Sequence, residues 1–246
     1  VMTAPPETES PAQFFSSKYI NGVSLELNNI SFSYSTKYVI LSSLSFKLDP
    51  GEVLLISGKS GCGKSTLVKI ILGLLPPTGG HIICNGVNIL EHNIQSFRKI
   101  TGTVLQGDSL LSGSLLYNIS FDNTVSLDDV IHITKGLGIH EVINSLPMGY
   151  YSQVTDINAF LSVGQIQRIL LARAIYRKPA LLILDEATSN LDHESETQVI
   201  DYIATIPCAK IIISHKGEAL RIADKILYLD RATSYCKSNI HNKHCS

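Results

Sequence analysis

The chain has 246 residues, with 20 Lys and Arg against 21 Asp and Glu for a net charge of -1. At about 150 residues per domain that is one large domain or two intimate ones, with room for a sizeable core, and near neutrality removes the electrostatic footprint of a general nucleic-acid binder. Hydrophobic residues at 44% with only 17% charged exclude disorder as the main state, and no apolar run approaches the roughly 18 residues of a membrane span.

Residues 1–22 carry Pro5, Pro6 and Pro11 and no periodic apolar pattern, which reads as a linker. They lack the basic start and apolar stretch of a signal peptide, and a chain beginning at Val1 reads as a piece excised from something longer. Order is expected from about residue 23. Alternation at Val23, Leu25 and Leu27, resumed at Leu44, Phe46 and Leu48, predicts half-buried strands, with a turn at Asp49-Pro50-Gly51. Residues 53–56 are wholly apolar, the pattern of a parallel strand covered on both faces. Leu67, Ile70, Ile71 and Leu74 fall at i, i+3, i+4 and i+7 and predict one face of a helix that Pro76-Pro77 stops. Residues 106–176 are richer in helix signals. Residues 181–184 and 211–213 repeat the buried-strand signature around a helical segment, and residues 226–229 add another. Strands alternating with helices predict an α/β domain with a largely parallel sheet and a ligand at the carboxyl ends of its strands.

Gly58-Lys59-Ser60-Gly61-Cys62-Gly63-Lys64-Ser65 satisfies GxxxxGK[ST] between a predicted strand and a predicted helix. One side chain cannot hold the charge of a triphosphate. Glycines let several backbone N–H groups point inward, and the helix amino terminus adds its dipole. Lys64 is placed to reach the outer phosphates and the Ser65 hydroxyl to ligate Mg²⁺. Leu181-Leu182-Ile183-Leu184-Asp185-Glu186 is a second site, an apolar strand delivering two carboxylates to the sheet edge. There Asp185 can hold Mg²⁺, directly or through water, and Glu186 can polarise an attacking water. Ile166, Ile169, Leu170 and Ala174 at helical spacing put Ser162 and free backbone N–H groups at a helix amino terminus, another anion site.

Leu161-Ser162-Val163-Gly164-Gln165, shortly before the acidic strand, resembles the LSGGQ signature of the ABC-transporter nucleotide-binding domain. In family order, Gln106 resembles the Q-loop glutamine, Ser189-Asn190-Leu191-Asp192 the D-loop, His215 the switch histidine and Tyr34 the aromatic that stacks on adenine. The resemblance spans about residues 23–231. It implies an α/β fold: a P-loop NTPase, RecA-like core with a mostly parallel sheet, an antiparallel β subdomain, and a helical signature-motif subdomain at about 107–171, all within 23–233. It implies ATP on Tyr34 and on Gly58, Ser60, Gly61, Cys62, Gly63, Lys64, Ser65 and Thr66, and Mg²⁺ on Ser65, Gln106 and Asp185. Glu186, His215 and Gln106 are the implied hydrolytic residues. Ser162, Gly164, Gln165 and Asp192 are the implied nucleotide contacts of the signature and D-loop. In the family the signature completes the ATP pocket of a partner subunit, so an ATP-dependent homodimer with a second nucleotide-binding domain is implied. So are a transmembrane domain of the same transporter and a place at the cytoplasmic face of a bacterial inner membrane.

This chain departs from the family at Val163, which replaces the first signature glycine, and at Ile166, where a basic residue is frequent. Thr155-Asp156-Ile157-Asn158 stands where related exporters have Gly-Glu-x-Gly. Gly107-Asp108-Ser109-Leu110-Leu111-Ser112-Gly113-Ser114, Leu146-Pro147-Met148-Gly149-Tyr150 and Tyr176-Arg177-Lys178-Pro179 look like the exporters of colicin V and other bacteriocins, which also carry a peptidase domain. The function implied is ATP hydrolysis powering export of a peptide, bacteriocin or other substrate through a transmembrane domain outside these residues. Two alternatives stay open: a non-transport ATPase of the same superfamily, and an ATP-binding module that hydrolyses poorly because of Val163. Cysteines at 62, 84, 208, 236 and 245 are odd in number and without CxxC, which fits a reducing compartment. Residues 234–246 read as a disordered tail rather than a metal site built from Cys236, His241, His244 and Cys245.

Overall fold

Three strands open the chain: β1 (Leu25–Ser35), β2 (Tyr38–Leu48) and β3 (Val53–Gly58), followed by α1 (Lys64–Ile71). Next come β4 (Gly79–Cys84), β5 (Val87–Asn88), α2 (Ile94–Lys99) and β6 (Thr101–Val104). A helical stretch holds α3 (Leu115–Ser120), α4 (Leu127–Gly136), α5 (His140–Asn144), α6 (Val154–Ile157) and α7 (Val163–Tyr176). The chain returns through β7 (Leu181–Asp185), α8 (His193–Thr205), β8 (Ala209–Ile213), α9 (Glu218–Ile222), β9 (Lys225–Leu229) and β10 (Tyr235–Ser238). This computed structural model describes residues 22–35, 38–91, 94–121, 125–157, 160–230 and 235–238. Residues 1–21 of the expected linker, and Asn158 of the departing segment, lie outside the described residues.

Two sheets result, an antiparallel one of order β2-β1-β4-β5 and a six-stranded one of order β10-β9-β3-β8-β7-β6. All pairings of the second are parallel except β10 with β9. In β1 the apolar alternation slips between Leu27 and Ile30. Asn29 there takes φ 53 and the ladder to β2 shifts register, so that Ile30 turns inward and is fully buried.

The continuous apolar runs of the parallel strands serve two cores at once. Leu54, Ile56, Leu181, Ile183, Ile211 and Ile213 face the antiparallel sheet and α1, while Val53, Leu55, Leu182, Leu184 and Ile212 face α7, α8 and the helical stretch. Side chains on a strand alternate between faces, so a strand covered on both sides has no polar face to show. No helix among the described residues is long and apolar enough to cross a membrane.

Two expectations are corrected. Helix α1 ends before the prolines: Gly73 at φ 63 donates to Ile70 O, and Leu74 N donates to Lys69 O at 2.8 Å, a Schellman closure. Leu74 is therefore 51% exposed instead of completing the buried face. Part of the expected tail is ordered, because Tyr235–Ser238 forms β10 on β9, with Tyr235 opposite Tyr228 and Ser238 opposite Lys225. That pairing is made by main-chain groups at the sheet edge, which side-chain periodicity does not report. The remaining tail residues, His241, His244 and Cys245 among them, lie outside the described residues.

Candidate functional site

Three parallel strands end at one height, since Ile213 of β8 is in register with both Ile56 of β3 and Asp185 of β7. Beyond those ends lie the glycine loop, Glu186 and His215. Gln106 follows β6, whose Val104 pairs with Leu184.

The loop has the backbone its glycines permit. Gly58, Gly61 and Gly63 take φ of 155, 75 and 107. A Cβ on Gly58 would stand 2.4 Å from the Leu229 carbonyl, and one on Gly63 2.7 Å from Ile40 Cγ2. Cys62 is buried beneath the loop. Lys64, at the first turn of α1, is also buried. Its ammonium donates to the carbonyls of Gly58 at 2.8 Å and Lys59 at 3.1 Å, so the loop already encloses a cation at a helix amino terminus.

A cavity of about 290 Å³ joins Ser60, Gly61, Gly63, Lys64, Ser65 and Thr66 to Tyr34, Gln106 and Glu186. Tyr34 is 64% exposed and stands edge-on to the buried Phe32, with ring centroids 4.8 Å apart, which leaves a face of the phenol free for a flat partner. An adjoining cavity of about 400 Å³ shares Gln106 and Glu186 and adds Asp185, Val163 and Gln167.

Asp185 is buried and its Oδ1 has no hydrogen-bond partner. Burial pushes its carboxyl above the usual range, a hydrogen bond from Ser65 opposes this, the Glu186 charge adds to it, and Lys64 and Lys69 oppose it. An orphaned carboxylate oxygen beside a hydroxyl and an amide is an all-oxygen donor set of the kind hard divalent cations select. Among the described residues no three His, Cys, Asp or Glu group together to hold a metal ion, so the protein donors here are one carboxylate with a hydroxyl and an amide oxygen.

Glu186 is held in an uncommon conformation, φ 55, by the hydrogen bond from its amide to Ile213 O at 3.0 Å. Its Oε1 lies 3.6 Å from His215 Nε2, an ion pair when the imidazole is protonated. A carboxylate and an imidazole meeting over a phosphate loop are equipped to orient a water and handle its proton.

The signature residues lie apart from the cavity of the glycine loop, and Val163 alone of them lines the adjoining one. Ser162, Gly164 and Gln165 are not among the residues that line either cavity. The expected free donors are partly used, because Ser162 Oγ accepts from Gln165 N at 3.2 Å and Gln165 Oε1 accepts from Ser162 N at 2.9 Å, a capping box that starts α7. Gly164 is pressed against the D-loop, where an added Cβ would stand 2.9 Å from Asn190 O. Val163 is 60% exposed at the first helical position, without positive φ, so its branched side chain is unstrained. Asp192 has a local task, accepting from Ser195 N and Ser195 Oγ, both at 2.9 Å, as the cap of α8.

Several side chains here escaped the sequence reading. Gln167 donates to Ser189 Oγ at 3.2 Å and accepts from Asn190 N at 3.2 Å, tying α7 to the D-loop. Arg173 donates to the carbonyls of Asn118 (2.8 Å) and Ser109 (3.2 Å), joining α7 to the segment after Gln106. Glu196 is an acid on the face of α8 shared by Val199, Ile200 and Ile203, and a charged residue at a core position was the signal that could have found it.

Comparison with known proteins finds relatives of one family. Residues 41–189 match the model of the ABC transporter family. The chain is 39% identical over 207 residues to the colicin V secretion/processing ATP-binding protein of Escherichia coli, a match covering 83% of this chain and 30% of that protein. It is 38% identical over 216 residues to the chloroplastic ABC transporter B family member 26 of Arabidopsis thaliana, covering 84% of this chain and 31% of that protein. A solved bacterial Atm1-family ABC exporter with ATP bound superposes with a TM-score of 0.81 at 31% identity, over 89% of this chain and 39% of that one. The chain thus spans about a third of the length of these relatives.

Proposed function

Because the chain belongs to the ABC transporter family, we propose that it is the ATP-binding and hydrolysing domain of an exporter. It powers passage of a peptide such as a bacteriocin through a transmembrane domain outside these residues, at the cytoplasmic face of the membrane. The observation that carries the reading is the meeting, at three strand ends, of the Lys64 loop, the Asp185 carboxylate with its orphaned Oδ1 and the Glu186–His215 pair. The bacteriocin assignment is supported by the likeness to the colicin V and microcin H47 secretion proteins, each at 39% identity.

In this reading Tyr34 stacks on the adenine, the amides of residues 60–66 receive the phosphates, and Lys64 exchanges its two loop carbonyls for phosphate oxygens. Ser65, Asp185 and Gln106 would hold Mg²⁺, which when bound neutralises charge developing on the phosphates. Glu186 orients the attacking water toward the γ-phosphorus, and His215 holds the Glu186 carboxylate in place. Gln106 lines both cavities and contributes to positioning. Ser162, Gly164 and the amides beginning α7 face away from their own loop and serve the nucleotide of a second copy, so two chains make two composite sites.

Replacing Glu186 with Gln keeps the shape and one acceptor oxygen but removes the charge and the base. ATP binding is expected to persist, turnover to vanish, and an ATP-bound dimer to accumulate on size-exclusion chromatography. Wild-type turnover by Glu186→Gln would remove Glu186 from the mechanism.

A further inference from the structure

His215 is followed by a residue to which the scheme above gives no part. Lys216 Nζ donates to the carbonyls of Leu191 at 2.7 Å and Thr188 at 3.2 Å, and lies 3.4 Å from Glu196 Oε2. An ammonium has three protons, and three acceptors surround this one. The second Glu196 oxygen accepts from Thr188 Oγ1 at 3.0 Å, with both Thr188 and Glu196 buried. The cluster therefore grips both ends of the 188–191 loop and is anchored in the core face of α8.

Two consecutive residues of one segment thus reach two parts of one loop. His215 touches Glu186, and two residues past Glu186 the chain is held by Lys216. On its other side the same loop is bound by Gln167 from α7. Lys216 is not among the residues that line the cavity of the glycine loop, and its ammonium is engaged by Leu191, Thr188 and Glu196. Strand pairing joins the two segments as far as the bond from Glu186 N to Ile213 O at 3.0 Å; beyond it, the contact between the two reacting side chains is that of His215 with Glu186, at 3.6 Å and half exposed, which by itself is a weak way to register them. Attack geometry tolerates little error, and a displacement of about 1 Å costs on the order of a hundredfold in rate.

We propose that Lys216 is a positioning residue for ATP hydrolysis: by tying Thr188 and Leu191 to buried Glu196, it sets the register of His215 against Glu186. The inference rests on the ATPase reading above. Steady-state ATPase kinetics and equilibrium ATP binding on the intact protein test it, using wild type, Lys216→Met, Lys216→Arg, His215→Ala, the His215→Ala/Lys216→Met double variant and Glu186→Gln.

The expected result is that Lys216→Met lowers kcat roughly tenfold or more with KM and ATP affinity nearly unchanged, and that Lys216→Arg recovers most of the loss. In the His215→Ala background Lys216→Met should have little further effect, because Lys216 works through that pair. Unaltered kcat in Lys216→Met overturns the proposal, as do losses that multiply in the double variant. Should Lys216→Met fail to fold, Glu196→Gln, which keeps the shape and removes the charge, is read by the same criteria. Wild type inactive alongside Glu186→Gln would overturn the ATPase reading itself. An active wild type with an inactive Glu186→Gln leaves the Lys216 variants to decide the inference alone.

Discussion

Gly164 and Val163 are neighbours in the signature with opposite demands. A methyl at 164 would press on the Asn190 carbonyl from 2.9 Å, while the valine at 163 is largely in solvent. Gly164→Ala is therefore expected to cost about 1–3 kcal/mol of strain and to displace the D-loop, with ATPase activity falling alongside the melting temperature. Val163→Gly, at an exposed and unstrained position, is expected to move unfolding free energy by only about 0.5 kcal/mol in urea titrations. The departure from the family's glycine pair is thus tolerated within one chain, and its effect belongs to whatever approaches α7 from outside.

At the scale of elements, α7 begins with a reciprocal cap whose Ser162 hydroxyl also serves the proposed nucleotide contact. Ser162→Ala is expected to cost about 1 kcal/mol of stability, seen as a lower denaturation midpoint in the absence of nucleotide. The elements most legible in the sequence were those whose pattern follows from burial. The apolar runs at 53–56, 181–184 and 211–213 announced parallel strands because both faces of the sheet are covered. The phosphate loop was legible too, since glycines at 58, 61 and 63 are backbone requirements written as residue types. What periodicity could not report was decided elsewhere. The end of α1 is set by one left-handed glycine ahead of the prolines, β10 by main-chain pairing, and the slip in β1 by Asn29. Among the candidate site residues, Glu186, Asp185 and Lys64 were singled out by motif. Lys216, Gln167 and Arg173 act through backbone carbonyls and amides of distant segments, and those partners are known only once the chain is folded.

The molecule as a whole places its phosphate loop and its signature helix on different cavities, with two hydrophobic cores on either side of one sheet. Under the proposed mechanism a single chain holds two half-sites that do not face each other. ATPase rate per chain is therefore expected to rise steeply with protein concentration, and a rate independent of concentration would count against the composite site. The contact of Gly164 with Asn190 has a consequence for timing in such an assembly. Under the proposed mechanism the helix serving one nucleotide would touch, through Gly164 and Asn190, the loop that leads back to the base acting on the other. The two hydrolysis events would then not be independent clocks: under that mechanism the waiting time at one site is expected to depend on whether the neighbouring site is occupied or spent.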